Sequence, residues 1–262
     1  MSPRLIALDI DGTLLNSKLH ILPSTLDALL KASQKGHHIV LASSRPPKSV
    51  AAIAEELNLA SNVSISLGGA YVFDKDEVLL EHPLPECAAI SVIELARDRT
   101  LHISLYSGQE WWVESDDQWA KLESKVVFFG PHVTPDLIDH AHAVHKLLIM
   151  GEHENILRFQ QELQQSQWPL DAVLSKPVYC EVNATGVSKA EAIEEVAKHF
   201  GLGLQDTIAF GDGENDLSMI RSAGVGVAMG NAMPSVKAVA KVVTKSNDED
   251  GIALALRDLG IV

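Results

Sequence analysis

Cysteine is nearly absent: the 262 residues include only Cys87 and Cys180. That excludes a disulfide-stapled scaffold and any metal site built on paired cysteines, and it suits a reducing compartment. Basic residues are also scarce, with 21 Lys and Arg against 35 Asp and Glu, a formal net charge of −14. Nucleic-acid binding depends on neutralising phosphates with such cations, so the balance argues against a nucleic-acid partner. It leaves room for a small phosphorylated molecule, because a metal ion and one Lys outweigh the global field locally. No apolar run approaches membrane-spanning length, and no basic region followed by an apolar core and cleavage site opens the chain. The expectation is a cytoplasmic protein without a membrane partner, a monomer or a small homo-oligomer. With no secretory signal, the sequons Asn62-Val63-Ser64 and Asn183-Ala184-Thr185 read as chance. Internal repeats and low-complexity tracts are missing too. Apolar residues at 46% and charged residues at 21% are ordinary for a globular protein, long enough for one large domain or two modest ones.

What the chain does have is acid at the ends of buried strands. Leu5-Ile6-Ala7-Leu8 is a short apolar run of the kind that suits a fully buried parallel strand, and it leads into Asp9-Ile10-Asp11-Gly12-Thr13. Thr207-Ile208-Ala209-Phe210-Gly211-Asp212 repeats the design and continues into Gly213-Glu214-Asn215-Asp216. Carboxylates in such a place are costly unless something positive sits among them. Ligands of open α/β sheets lie just beyond the carboxyl ends of the strands. The two segments together point to a cation site with a reactive Asp. Mg²⁺ is the expected ion, since it is hard, takes oxygen ligands and needs few carboxylates.

Strand and helix signals alternate over the first eighty residues. Ser24 is placed to cap a helix running to Lys35 with Leu26, Leu29 and Leu30 on one face and Gly36 as its stop. His37–Ala42 reads as a strand, Val50–Leu57 as a helix and Val63–Leu67 as a strand, a βαβαβ pattern covered on both faces. Tyr71-Val72-Phe73 and Val78-Leu79-Leu80, joined by Asp74-Lys75-Asp76, suggest a hairpin. His82-Pro83-Leu84-Pro85 then breaks the pattern. A helix at Ala88–Arg97, strands near Leu101–Ser107, Trp111–Glu114 and Lys146–Met150, a helix at Glu154–Gln165 and a strand near Val178–Val182 lack strict alternation. They predict an α+β unit with a mostly antiparallel sheet. A helix from Ser188, the strand ending at Asp212, a helix to Arg221 and a strand at Val225–Met229 resume the first pattern. The expected fold class is α/β, a doubly wound parallel-sheet core with an inserted α+β cap. The expected divisions are 1–81 and 184–262 for the core and 82–183 for the insert.

Asp9-Ile10-Asp11-Gly12-Thr13, the hydroxyl residue in Leu41-Ala42-Ser43-Ser44-Arg45, Lys189 at a helix start, and Gly211-Asp212-Gly213-Glu214-Asn215-Asp216 occur in the order that closely resembles the haloacid dehalogenase superfamily. Gly226-Val227-Ala228-Met229-Gly230-Asn231-Ala232 and Asp250-Gly251-Ile252-Ala253 narrow the resemblance to the Cof-type branch, subfamily IIB, phosphatases with a large α/β cap. The resemblance implies that Asp9 is the nucleophile, forming an aspartyl-phosphate. It implies that Asp9 and Asp212 ligate Mg²⁺ with side chains and Asp11 with its carbonyl. Asp11 would protonate the leaving alkoxide and then take a proton from water. Dehalogenases have no need for this acid, and the transport ATPases carry Thr there, so Asp11 favours phosphate-ester hydrolysis. Ser43 and Lys189 match the family's phosphate-binding hydroxyl and cation, Gly12 brings an N–H close to phosphate, Asp216 orients Lys189 and Asn215 braces the site. Ser44 and Arg45 join Gly12 and Asn215 as candidate substrate contacts.

Each residue alone also has a plain structural reading. Ser43 could cap a helix, Lys189 could be a solvated charge, and Asn215-Asp216 could form a turn. Their joint order is what favours chemistry. Ser44 replaces a family Gly and Gly68 replaces a family Asn, which bears on substrate preference. Neither acidic segment fits a calcium loop, and Gly224–Gly230 reads as a buried strand with glycine turns and not as a dinucleotide fingerprint. Trp111, Trp112 and Trp119 suit the insert's own core better than a stacking wall, and His140, His142 and His145 suit surface or packing roles better than metal ligation. The expected activity is Mg²⁺-dependent hydrolysis of small phosphorylated metabolites, sugar phosphates first and phosphorylated cofactors next. The alternatives are a sugar-phosphate phosphotransferase or mutase, and a non-catalytic regulator that binds sugar phosphates.

Overall fold

The opening apolar run is β1 (Leu5–Leu8), with all four side chains buried. It is followed by α1 (Pro23–Gln34), β2 (His38–Ala42), α2 (Pro47–Leu57), β3 (Val63–Ser66), β4 (Tyr71–Asp74) and β5 (Glu77–Glu81). The computed structural model describes residues 2–58, 63–75 and 77–262; Asn62 of the first sequon and Asp76 of the expected hairpin turn lie outside them. The insert contributes α3 (Glu86–Asp98), β6 (His102–Ser107), β7 (Glu110–Val113), α4 (Gln118–Val127), β8 (His132–Val133), β9 (Lys146–Met150), α5 (His153–Gln165), β10 (Leu170–Lys176) and β11 (Tyr179–Ala184). The chain closes with α6 (Lys189–His199), β12 (Thr207–Gly211), α7 (Leu217–Ser222), β13 (Val225–Ala228), α8 (Pro234–Val239), β14 (Val242–Val243) and α9 (Gly251–Asp258). Two units result: Met1–Ser44 with Val50–Leu80 and Ser188–Val262, and Arg45–Ser49 with Glu81–Val187.

The first unit holds a sheet of order β14-β13-β12-β1-β2-β3-β4-β5. Strands β14 through β3 pair in parallel, and β4 turns antiparallel to β3. β1 lies between β12 and β2 in the register Leu8 to Phe210 and Leu8 to Leu41. Residues immediately after these three strands therefore emerge side by side. This is the doubly wound α/β core that the alternating pattern predicts. One cap differs. Ser24 does not cap α1, because the helix already begins at Pro23 after Leu22, and the Ser24 hydroxyl donates instead to Asp250. Proline at a first helical position satisfies the helix start without a side-chain acceptor, since its missing N–H is one of the unpaired ones.

His37, just before β2, is 5% exposed and its Nδ1 accepts the Arg4 N–H at 3.1 Å. Burial, aided by the charge of Lys35, holds this imidazole below its ordinary value. A base that protonates less readily when folded keeps its contribution above its unfolded pKa of about 6.5. That contribution declines as pH falls below this value and levels off below the folded pKa. His37→Asn keeps an acceptor where Nδ1 stood but does not titrate. Its thermal midpoint relative to the wild type is expected to rise as pH drops from about 7 to about 5. A difference constant with pH would contradict this account.

In the second unit the sheet order is β10-β11-β9-β6-β7-β8, antiparallel except where β8 joins β7 in parallel. Alternation sorts its two faces. Ile103, Leu105, Leu147, Ile149, Cys180 and Val182 face one way and pack on α3 and α5 through Val92, Ile93, Ile156 and Phe159. Three elements lack a counterpart in the sequence pattern. β8 has two residues, and β10 is an edge strand with one buried side chain, so neither shows a period. α4 is signalled only by Asp117, whose carboxylate accepts the N–H groups of Trp119 and Ala120, a cap worth about 1 kcal/mol.

Trp111 is buried within this unit, stacked on Tyr106 and edge-on to Phe129, and Trp112 stacks on His140 at 3.8 Å. His145 is buried too, its Nδ1 accepting from Gly108 N–H. Trp111 and His145 thus serve packing in the unit itself. Among the described residues no helix is long and apolar enough to cross a membrane.

Candidate active site

Asp9 continues β1, its N–H donating to Phe210 O at 3.0 Å, so the ladder delivers it beside Gly211 and Asp212 at the end of β12. Ser43 continues β2 in the same way, donating its N–H to Ile65 O. Lys189 is the first residue of α6, with the Ser188 hydroxyl accepting the Glu191 N–H as its N-cap. A Cβ on Gly69 would lie 2.4 Å from Ser188 O, and Gly69 has φ +113°, so only glycine lets this turn approach the helix start. That approach sets where the Lys189 side chain enters.

Lys189 is 1% exposed, and its Nζ lies 2.7 Å from both Asp9 Oδ1 and Asp216 Oδ1. The other oxygen of Asp216 accepts the N–H groups of Asp212 and Gly213 at 2.9 and 3.0 Å. Asp216 therefore forms the turn and orients the cation at once. The plain reading of Lys189 as a solvated charge does not hold. Gly12, at φ +81°, lies flat against Asp212: an added Cβ would sit 2.4 Å from its Oδ2. Thr13 Oγ1 donates to Asp212 Oδ1 at 3.2 Å, and Asn231 Nδ2 donates to Gly12 O at 2.8 Å and reaches Asp212 Oδ2 at 3.4 Å.

One ammonium among three carboxylates leaves excess negative charge. Burial and then the nearby Asp216 charge hold Asp9 well above the usual carboxylate range, and Lys189 offsets this only in part. Burial and Asp216 likewise raise Asp212 to about 6. Burial alone would pull Lys189 down, but Asp216 and Asp9 outweigh it and push the ammonium up, so it stays charged. One carboxylate oxygen each from Asp9, Asp212 and Asp216 falls within a 4.8 Å span. A hard dication fits this donor set and would relieve the repulsion that raises Asp9 and Asp212.

The other sequence-predicted residues fall as follows. Asp11 is exposed, two residues beyond Asp9 on the same loop. Ser43 is buried at 1% exposure, and its carbonyl accepts the Gly68 N–H at 3.0 Å. Gly68 has φ +75°, a left-handed conformation that glycine and asparagine both adopt, which accounts for the exchange with the family's Asn. The Ser44 hydroxyl accepts from Asn215 Nδ2 at 3.3 Å. Arg45 groups with the second unit, where its Nη1 donates to Val126 O and Ser49 Oγ and its guanidinium lies over Phe128. Sequence reasoning missed Thr13 and Asn231 as donors onto Asp212. The signal was a polar side chain next to a glycine in the loop after each of two buried strands, Gly12-Thr13 after β1 and Gly230-Asn231 after β13.

The family model for haloacid dehalogenase-like hydrolases matches residues 6–256. YkrA of Bacillus subtilis is 34% identical over 276 residues, covering 100% of both chains. The 5-amino-6-(5-phospho-D-ribitylamino)uracil phosphatase YcsE of the same organism is 32% identical over 97% of this chain and 94% of its own. The solved structure of the HAD subclass IIB sugar phosphatase BT4131 superposes with a TM-score of 0.85 at 28% identity, over 99% of this chain and 100% of that one. With its motifs, core topology and inserted unit, this chain belongs to the haloacid dehalogenase-like hydrolase family, in the Cof-type branch of phosphoric monoester hydrolases.

Proposed function

We propose that the protein is a Mg²⁺-dependent phosphatase of small phosphorylated metabolites, sugar phosphates foremost, acting through an aspartyl-phosphate on Asp9. The observation that carries the reading is the Lys189 ammonium shared between Asp9 and Asp216 beside Asp212, with exposed Asp11 two residues on. Asp9 and Asp212 with their side chains, and Asp11 with its carbonyl, would hold the ion, which neutralises charge on the phosphate and on the carboxylates.

A carboxylate oxygen of Asp9 attacks phosphorus, and the bond from phosphorus to the alkoxide oxygen breaks. Asp11 gives its proton to that alkoxide. Water then attacks phosphorus, Asp11 takes back a proton, and phosphate leaves with Asp9 restored. Lys189, the Ser43 hydroxyl and the Gly12 N–H supply positive ends toward the equatorial oxygens, where charge spreads during transfer. A sugar phosphatase and a ribityl-phosphate phosphatase among the similar proteins support a polyhydroxylated alcohol as leaving group.

The test is phosphate release from sugar, nucleotide and cofactor phosphates with Mg²⁺ or with EDTA. Release that requires Mg²⁺ and is highest on sugar phosphates is the expected outcome. No release from any compound would overturn the reading.

A further inference from the structure

Asn231 belongs to none of the catalytic segments, yet its side chain has both ends committed. Its Oδ1 accepts the backbone N–H of Asn247 at 3.1 Å, which forces the NH₂ group to face the other way. There it meets Gly12 O at 2.8 Å and Asp212 Oδ2 at 3.4 Å. A flipped amide would set donor against donor and acceptor against acceptor, so the orientation is dictated by its partners. Asn247 in turn donates Nδ2 to Leu15 O at 2.8 Å, Asp248 accepts both the N–H and hydroxyl of Ser17 at 3.0 Å, and Asp250 accepts the Ser24 hydroxyl.

The backbone around Asn231 is equally confined. Gly230 N–H donates to Lys245 O at 2.9 Å, and a Cβ on Gly230 would lie 2.6 Å from Ser246 N. Residues 245–250 therefore run along the loop that follows β1, and Asn231 is the joint between that clasp and the acidic pocket. Asp212 is gripped by neutral donors on each oxygen, Thr13 on one and Asn231 on the other. Neutral donors steer a carboxylate without adding a competing charge, and such outer contacts commonly set a metal site's affinity.

We propose that Asn231 is a positioning residue that ties the Gly12 carbonyl and the Asp212 carboxylate to the Ser246–Asp250 segment, and thereby sets the spacing of the pocket for its divalent cation. The cation is that of the phosphatase reading, on which this inference rests. The tie itself is a property of the metal-free protein.

Two measurements on Asn231→Ala test it. In metal-free protein, amide hydrogen exchange over residues 13–17 is expected to quicken by about tenfold or more, with exchange in the second unit unchanged. Calorimetric titration with Mg²⁺ alone is expected to give a Kd about tenfold to a hundredfold higher, with kcat largely recovered at saturating Mg²⁺ and KM for substrate little changed. Asn231→Asp keeps the acceptor for Asn247 but removes the donor to Gly12. It is expected to shift in the same direction, although its added charge would tighten binding if charge alone mattered. Unchanged exchange over residues 13–17 overturns the proposal whatever the wild type's metal affinity, as does an unchanged or tighter Mg²⁺ Kd in both variants. A wild type that takes up no Mg²⁺ overturns the phosphatase reading instead, and the exchange arm still decides the tie.

Discussion

Asp9→Asn is expected to lose phosphate release by about four orders of magnitude or more, while the metal-free protein melts no lower than the wild type. The two halves have separate causes. An amide oxygen is not a nucleophile toward phosphorus, so the covalent step is lost even though the side chain keeps its shape. Stability moves the other way because the Asp9 charge is held unfavourably in the folded protein: burial raises its pKa, and Asp216 raises it further. An acid whose folded pKa is raised contributes stability below its unfolded value and loses it as pH rises through the folded value. The wild type loses that contribution as pH rises, and the amide has none to lose. Asn Oδ1 also remains able to accept from Lys189 in place of the carboxylate oxygen now 2.7 Å away. Initial-rate assays and thermal melts in EDTA decide both points. A variant retaining more than about a thousandth of the rate would remove Asp9 from the nucleophile role. A variant melting well below wild type would show that the carboxylate charge supports the fold.

The parts of the site that were legible in the sequence are those set by local chain geometry. A buried strand followed by acid reads directly, and two such strands in a parallel sheet must be near neighbours if their acids share a cation. β1 and β12 are adjacent, so Asp9 and Asp212 meet. Lys189 was legible as a candidate through motif order, but its burial was not. A helix N-terminus in the sequence does not disclose that Gly69 allows a turn to press against Ser188. Asn231 and Thr13 escaped because their role exists only once four segments distant in sequence are folded together. Arg45 shows the same limit from the other side. Its place directly after Ser43-Ser44 suggests a substrate contact, while its guanidinium is engaged by Val126 and Phe128, some eighty residues later in the chain. In the insert, buried strands and amphipathic helices were readable from period. The edge strand β10 and the capped helix α4 were not, since an edge needs few apolar residues and α4 carries a charged residue, Glu123, on its own buried side.

Lys189→Met carries the largest expected cost to folding. The ammonium is the positive group held between Asp9 and Asp216 at 1% exposure, and deleting one member of a buried ionic group costs about 3–5 kcal/mol because the others are left unbalanced. Methionine fills most of the space, so the loss is one of charge and hydrogen bonds and not of packing. The Lys189 pKa is raised in the fold, so the ammonium's contribution is fully present below its unfolded value of about 10.4 and is lost only as pH rises through the higher folded value. The deficit is therefore expected at neutral pH, and it should shrink in acid as Asp9 takes up a proton. Adding Asp216→Asn to Lys189→Met removes one of the stranded charges, and the double variant is expected to recover a large part of the lost stability. It is not expected to recover activity, because no ammonium then faces the transferring phosphoryl group. Denaturant unfolding of the single and double variants, paired with rate assays, separates the two roles. Equal stability of Lys189→Met and wild type would mean that the carboxylates are protonated in the fold without help. Activity restored in the double variant would mean that Lys189 only neutralises Asp216. If stability returns and activity does not, one buried ammonium serves two purposes: it makes an acidic strand-end pocket foldable, and it presents positive charge where phosphate must bind.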